Sequence, residues 1–331
     1  MSLYHNQKLE KFDFFKGKNV LVLGGTGFIG QKLSEYLLNS EAYVTIVGRS
    51  NKKIDFHDKE HFHIKNFDLM DIQNHKEILE DQDYVFQLSG IAGGIEYNKN
   101  NQGILFTKNS LLNLKLLDAV TNSNVERYQF VSSVATYPSL SIPLKESITF
   151  ANDPPKSNFG YAWAKRISEI QCKLYANEFN LKISIVRPDN TFGPRDNFDQ
   201  SQSRVIPSLI TKVFDAPDFI NVWGSGNQIR SFVYVDDLIR GMLLSLEKNI
   251  GPDPINIGTG EETSIKHLVE LIVKIFNKKI SAQYDTTKPE GEPIRVMDIS
   301  KAKETLGYQP KWSLKKGLKE TIDWFKNSRL E

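Results

Sequence analysis

The chain has 331 residues, 40% hydrophobic and 25% charged, with a formal net charge of +2. This is the makeup of an ordinary globular protein, long enough for one large α/β unit with an attached lobe or for two domains. Near-neutral charge without a lysine or arginine block argues against nucleic acid as the main partner, no apolar run approaches the ~18 residues of a membrane span, and a single cysteine, Cys172, leaves no internal disulfide and fits a reducing cytoplasm.

The first 18 residues mix Lys8, Glu10, Lys11, Asp13 and Lys16 with isolated aromatics, which is no signal-peptide pattern. An apolar β-type run, Val20 to Leu23, then stops at glycines spaced Gly24, Gly27 and Gly30, and a helical pattern follows with Phe28, Ile29, Leu33, Tyr36 and Leu37 apolar. A strand that turns on glycines into a helix is a phosphate cradle: the backbone comes close to a pyrophosphate and the first helical amides face it. Further strands are expected at Tyr43–Val47, His63–Phe67, Tyr84–Leu88, Arg127–Ser132 and Lys182–Val186, with the clearest helices at Gln102–Thr121 and Ser157–Asn180. Such alternation predicts a doubly wound parallel sheet with helices on both faces, its ligands beyond the carboxyl ends of the strands. The glycine turn, Asp68, Ser89–Gly94, Ser133 and Arg187–Asn190 all fall at those ends.

After Pro188 comes a long loop rich in turn formers and arginine, a kind more often functional than not. A strand at Phe232–Val235, a helix at Leu238–Leu246, a strand at Ile255–Ile257 and a helix at Ser264–Asn277 follow. The chain is expected to leave the sheet near residue 189, return near 230 and leave again near 260. Residues 17–188 and 230–258 would then form the dinucleotide-binding domain, and 189–229 and 259–331 a smaller substrate lobe.

Tyr161 and Lys165 are four apart in the second long helix, so phenol and ammonium share a face, with Ser157 or Asn158 as the cap. A nearby cation favours the ionised phenol and lowers its pKa, which suits a proton donor and acceptor; a surface pair on an amphipathic helix is the bland alternative. The second strand runs into Gly48-Arg49-Ser50-Asn51-Lys52-Lys53 without a carboxylate to bind ribose hydroxyls. Arg49 offers a fork for a 2′-phosphate, which points to NADP, with NAD possible; a solvated basic loop is the other reading. Trp223 either walls a base pocket or is an ordinary core residue. The scattered His57, His61, His63, His75 and His267 predict no metal.

The ordered set Gly24-x-x-Gly27-x-x-Gly30, Asp68, Ser133, Tyr161-x-x-x-Lys165 and Arg187-Pro-x-Asn190 resembles the extended short-chain dehydrogenase/reductases, the nucleotide-sugar epimerases, dehydratases and reductases. The resemblance runs from about residue 18 to 326 and is closest to the GDP-fucose synthase-like members. It is carried there by Ala92-Gly-Gly-Ile95, Gly193–Phe198, Val205-Ile-Pro207, Val222–Gly226 and Arg230–Asp237. It implies a Rossmann-type sheet with a C-terminal α/β substrate lobe and a nucleotide-sugar substrate. Tyr161 would be the proton carrier, Lys165 would hold the nicotinamide ribose and depress the phenol pKa, and Ser133 would bind the reacting oxygen. A one-residue slip would move that last role to Ser132. The implied cofactor residues are Gly24, Thr26, Gly27, Phe28, Ile29, Gly30, Arg49, Asp68, Leu69, Leu88, Lys165 and Pro188. Those implied for the substrate are Asn109, Asn190, Arg204, Arg230 and Arg295. Family members commonly dimerise through the two long helices, whose leucines Leu105, Leu111, Leu112, Leu116 and Leu117 give apolar surface, so a homodimer is expected.

Two departures narrow the chemistry. Where fucose synthase-like enzymes carry a cysteine and a histidine for proton transfers at C3 and C5, this chain has Ala135 and Arg204. Alanine has no proton to give and arginine is a poor base. The Asp-Glu pair of the dehydratases is replaced by Val134-Ala135. The expected activity is hydride transfer at one sugar carbon, C4, without C3/C5 epimerisation or dehydration. The alternative is a catalytically silent cofactor-sensing or scaffolding protein of the same fold.

Overall fold

The computed structural model describes residues 9–48, 54, 56, 60–71, 73–140, 142–200, 202–248, 251–288 and 291–329. In chain order the strands are β1 Asn19–Leu23, β2 Tyr43–Gly48, β3 Phe62–Asn66, β4 Tyr84–Gln87, β5 Arg127–Val131, β6 Lys182–Pro188, β7 Asn190–Phe192, β8 Phe219–Trp223, β9 Ile229–Arg230, β10 Phe232–Tyr234, β11 Ile255–Ile257, β12 Thr263–Ser264, β13 Ser281–Asp285 and β14 Ile294–Arg295. The α-helices are α1 Phe28–Asn39, α2 Gln73–Leu79, α3 Ile95–Asn100, α4 Gln102–Thr121, α5 Phe159–Glu178, α6 Val205–Asp215, α7 Val235–Lys248, α8 Ile265–Phe276, α9 Ser300–Leu306 and α10 Leu314–Ser328.

Seven parallel strands form one sheet in the order β11-β6-β5-β4-β1-β2-β3. Its inner strands are buried on both faces; β1 reads as an unbroken apolar run from Val20 to Leu23, whereas β5 and β6 bury Gln129, Ser184 and Arg187 among apolar residues. Alternate residues of β1 feed two cores: Val20 and Val22 pack into the one that takes in α1 and α7, and Leu21 and Leu23 into the one against α4 and α5. Only β3, at the sheet edge, exposes part of both faces. The Rossmann-type expectation thus holds for the sheet, with most strand limits within a residue or two of those read from sequence.

One expectation is corrected. Phe232–Tyr234 does not return the chain to the central sheet but pairs in parallel with β7 as a separate two-stranded sheet. The chain rejoins the main sheet by a strand only at β11, beside β6. An apolar triplet announces a buried strand and says nothing of its partner. The remaining short strands, β12-β9-β14 and β13-β8, make two further small sheets. Where the chain crosses between sheets, between β6 and β7, the buried Asp189 carboxylate accepts the amide of Asn190 at 2.8 Å and the hydroxyl of Ser231, and so ties β7 to the β9–β10 junction.

Candidate active site

At the end of β1, Gly24 turns with φ +81°, and a Cβ there would lie 2.8 Å from the amide of Ser89; one on Gly30 would lie 2.5 Å from the Gly24 carbonyl. Those two glycines let strand, helix and the loop after β4 pack closely. Gly27 differs. It is exposed, begins α1 without a side-chain cap, and a Cβ there would meet only the Gly24 oxygen, at 3.2 Å. The first amides of α1 therefore face open space, the arrangement that takes an anion. A dinucleotide pyrophosphate fits this cradle.

The other expected cofactor residues lie along the same sheet edge. Thr26 lies close to Gly48 at the end of β2. Asp68 and the buried Leu69 follow β3, with the Asp68 carboxylate accepting the amide of Met70 at 3.0 Å. Leu88 follows β4, Pro188 ends β6, and Phe28 and Ile29 open α1. Arg49 lies outside the described residues.

Helix α5 carries Tyr161, Lys165 and Glu169 at intervals of four, one above another on one face. Burial raises the Tyr161 phenol, and the Ser133 hydroxyl is the first group that opposes this. Ser133 also caps the turn Val134–Thr136, its oxygen accepting the Ala135 amide at 3.1 Å. The neighbouring Ser132 is engaged elsewhere, donating to Glu169 at 2.5 Å. Ser132 is thus held by Glu169, while Ser133 is the serine that acts on the phenol.

Lys165 is buried, with its ammonium donating to the Val131 carbonyl at 2.8 Å and lying 6.0 Å from the Tyr161 ring centroid. A Cβ on Gly90, in the loop after β4, would lie 4.0 Å from that nitrogen, so the loop runs over the lysine. Burial lowers Lys165 to about 8, with Glu169 opposing. Burial also pushes the Tyr161 phenol up, and what opposes this is the Ser133 hydroxyl and the charge of Arg204. The expectation that Lys165 depresses the phenol is therefore corrected for this arrangement: the ammonium is turned to a carbonyl, and burial dominates.

Among the expected substrate residues, Arg230 and Arg295 are register neighbours on β9 and β14. Burial, and next the Arg230 charge, lower Arg295 to about 10, so two cations share a partly desolvated place that an anion would relieve. Arg295 also donates to the carbonyl of Val134, linking this pair to the Ser133 turn. Arg204, exposed at the head of α6, stands apart from this pair, bound to Asp196 at 2.8 Å. Both amide hydrogens of Asn190 go to Asp189 and the Ser231 carbonyl, leaving its amide oxygen. Asn109 is corrected: it is fully buried, and its amide accepts the Ile91 amide at 2.8 Å and donates to the carbonyls of Ile91 and Leu105 at 2.9 and 2.8 Å. It shapes the loop after β4, and its full burial keeps it from a sugar. Trp223 is 41% exposed, which excludes a core role, and Lys212 and Lys288 lie over its ring.

Three residues at this edge escape a reading of the sequence. Glu169 sits one turn beyond Lys165 and binds Arg187 through two hydrogen bonds; extending the four-residue stripe would have found it. Asp189, within Arg187-Pro-Asp-Asn190, is pushed up to about 7 by burial against the Ser231, Asn190 and Arg295 interactions. Asp196, which holds Arg204, carries no signal in a loop of turn formers. Among the described residues no three His, Cys, Asp or Glu side chains gather to hold a metal ion, and no helix is long and apolar enough to cross a membrane.

A family profile described as the NAD dependent epimerase/dehydratase family matches residues 20–258. A dTDP-4-dehydro-6-deoxy-D-allose reductase from a Streptomyces species is 29% identical over 95% of this chain and 98% of its own length. A probable GDP-L-fucose synthase 1 from Oryza sativa subsp. japonica is 28% identical over 94% of this chain and 92% of its own. The solved UDP-N-acetylglucosamine 4-epimerase from Methanobrevibacter ruminantium M1, in complex with UDP-N-acetylmuramic acid, superposes with a TM-score of 0.85 at 29% identity, covering 95% of this chain and 99% of that one.

Proposed function

The chain belongs to the NAD-dependent epimerase/dehydratase family, of the extended short-chain dehydrogenase/reductase type, and on that premise we propose that it transfers a hydride at C4 of a nucleotide-activated sugar, GDP-linked by preference, with NADP favoured over NAD. The observation that carries this reading is Tyr161 with the Lys165 ammonium 6.0 Å from its ring and Ser133 acting on its hydroxyl, on the sheet edge that also holds the glycine cradle. A nicotinamide cofactor bound in the cradle supplies the hydride chemistry. This chain's residues do the rest. Gly24 and Gly30 shape the turn, Gly27 leaves the approach open, and the amides of α1 face the pyrophosphate. Tyr161 exchanges a proton with the sugar oxygen at C4, and Ser133 stabilises charge developing on that oxygen. Arg230 and Arg295 take the nucleotide diphosphate, and the Asn190 amide oxygen is the group that meets a sugar hydroxyl. The basic segment at Arg49 favours a 2′-phosphate. Residues 17–188 and 230–258 serve the cofactor, save that β9 and β10 pair outside the main sheet and lend Arg230 to the sugar nucleotide, which 189–229 and 259–331 bind.

Ala135, whose amide is already spent on Ser133, offers no acid or base for C3 or C5. The test is a panel of GDP-, UDP- and dTDP-linked sugars and their 4-keto forms, assayed with NADPH and NADH in deuterated water. The expected result is turnover with at least one GDP-linked member and no solvent deuterium at C3 or C5. Silence across the panel with cofactor still bound sinks the reading in favour of a silent, cofactor-sensing protein. Deuterium at C3 or C5 overturns the restriction to C4.

The proposal includes a homodimer through α4 and α5. Four of the five leucines named above, Leu105, Leu112, Leu116 and Leu117, are buried in the protein's own core, so they cannot serve. Ile104, Phe106 and Leu111 of α4 and Phe159, Ile170 and Leu174 of α5 are the large exposed apolar residues there. Sedimentation of the full chain should give twice the monomer mass, and L174E should reduce it to the monomer; a wild-type monomer would overturn the pairing.

A further inference from the structure

Arg166 follows Lys165 in α5 and has no part in the chemistry proposed above. Its side chain is among the largest fully buried ones in the protein, only 1% exposed. Burying a guanidinium is costly unless its hydrogen bonds are made. Here Nε donates to the Thr136 carbonyl at 2.8 Å and Nη2 to the Asn152 carbonyl at 2.8 Å. The Trp163 and Phe150 ring centroids lie 5.0 and 5.3 Å from the guanidinium carbon, so two aromatic faces hold the fork in place. A leucine or methionine would fill this space without burying a charge. What the arginine adds is a planar fork that reaches carbonyls on two separate segments.

Thr136 closes the short turn that Ser133 opens. Its amide and its hydroxyl both donate to the Ser133 carbonyl, at 3.2 and 2.8 Å, while the Ser133 hydroxyl oxygen accepts the Ala135 amide at 3.1 Å. A single helical turn cannot satisfy its own last carbonyls. Arg166 takes the carbonyl of Thr136, and Arg295, from β14, takes those of Val134 and Tyr137. The two arginines differ in what they tie the turn to. Arg295 belongs to the cationic pair on β9 and β14, whereas Arg166 rises from the helix that carries Tyr161. Arg166, Thr136 and Ser133 thus form one hydrogen-bonded path from α5 back to the serine.

We propose that Arg166 is a positioning residue: by gripping the Thr136 carbonyl it locks the Ser133 turn to the helix that carries Tyr161, and so keeps serine and phenol in register. The inference rests on Ser133 and Tyr161 being the pair that acts on the sugar oxygen, as proposed above. Arg166 acts through Thr136 and needs no contact with cofactor or sugar.

The test has two readouts on the full chain. Hydrogen exchange read by mass spectrometry reports on the turn itself: R166M should speed exchange of segment 133–137 by about tenfold and leave β1 and α1 at the wild-type rate. Turnover reports the consequence. R166M should lower kcat by about 10- to 100-fold, the scale of a displaced catalytic group, with KM for the sugar nucleotide within about twofold of wild type. On an S133A background the same substitution should cost less than about twofold, because the group it positions is gone. R166K, which keeps a donor for Thr136, should restore most of kcat. T136V, which removes only the hydroxyl bond to Ser133, should show the same pattern in smaller measure, and it carries the test if R166M does not fold. Unchanged exchange in R166M and T136V, or an equal loss of kcat with and without Ser133, overturns the proposal. Faster exchange in a protein that is silent across the sugar panel supports the positioning and counts against the proposed activity alone.

Discussion

Y161F should lower the rate of hydride transfer by about 10²–10⁴-fold at saturating cofactor and substrate while leaving the affinity for the nicotinamide cofactor unchanged. The substitution removes one oxygen and keeps the ring. What it deletes is the hydroxyl on which Ser133 acts, on the helix face that also carries Lys165. No part of the cradle changes, because Gly24, Gly27 and the amides of α1 belong to other elements. Stopped-flow absorbance of the nicotinamide reads the chemical step, and quenching of protein fluorescence reads cofactor binding. S133A should fall along the same coordinate but by less, since it removes a stabilising donor and leaves the proton carrier in place. Wild-type turnover in Y161F would end the assignment. Loss of cofactor binding together with turnover would show that the ring, not the hydroxyl, is what matters.

The frame of the protein was plain in its residues because the signals there are local. An apolar run ended by Gly24 turns into α1, and the two-faced burial of β1 writes itself as Val20 to Leu23 without a polar break. The α4 limits, Gln102 to Thr121, come out as read. What stayed hidden are pairings between distant segments. Spacing of four put Tyr161 and Lys165 on one face but could not say that the Val131 carbonyl, 34 residues away, would capture the ammonium. Only the resemblance puts Asn109 at the substrate. Only the path of the loop after β4 shows that Ile91 uses it up. Glu169 reads as a solvated helix residue until Arg187, at the end of β6, is laid against it. Phe232–Tyr234 has the composition of a core strand, and its partner β7 is set by where the lobe folds back.

The largest expected loss of stability comes from parting that last pair. Glu169 and Arg187 are 1% exposed each and joined at 2.9 and 2.7 Å, a two-bond fork. Glu169 also accepts Ser132, while Arg187 donates to the Tyr137 hydroxyl at 2.9 Å and that hydroxyl donates to Asn256 at 2.6 Å. R187M leaves a buried carboxylate with a single hydroxyl donor and should cost about 3–5 kcal/mol in urea denaturation. The asymmetry of buried pairs then gives a sharper expectation: E169M/R187M, which removes both charges at similar volume, should recover most of that loss. A double variant as unstable as R187M would mean that the pair itself contributes net stability; a loss below about 1 kcal/mol for R187M would mean that water reaches the site. The network also bears on the chemistry. Glu169 opposes the burial that lowers Lys165, so the double variant should be stable yet carry an ammonium that loses its proton at lower pH. Such a protein separates what this pair does for the fold from what it does for the lysine, with Ser133 and Tyr161 left in place.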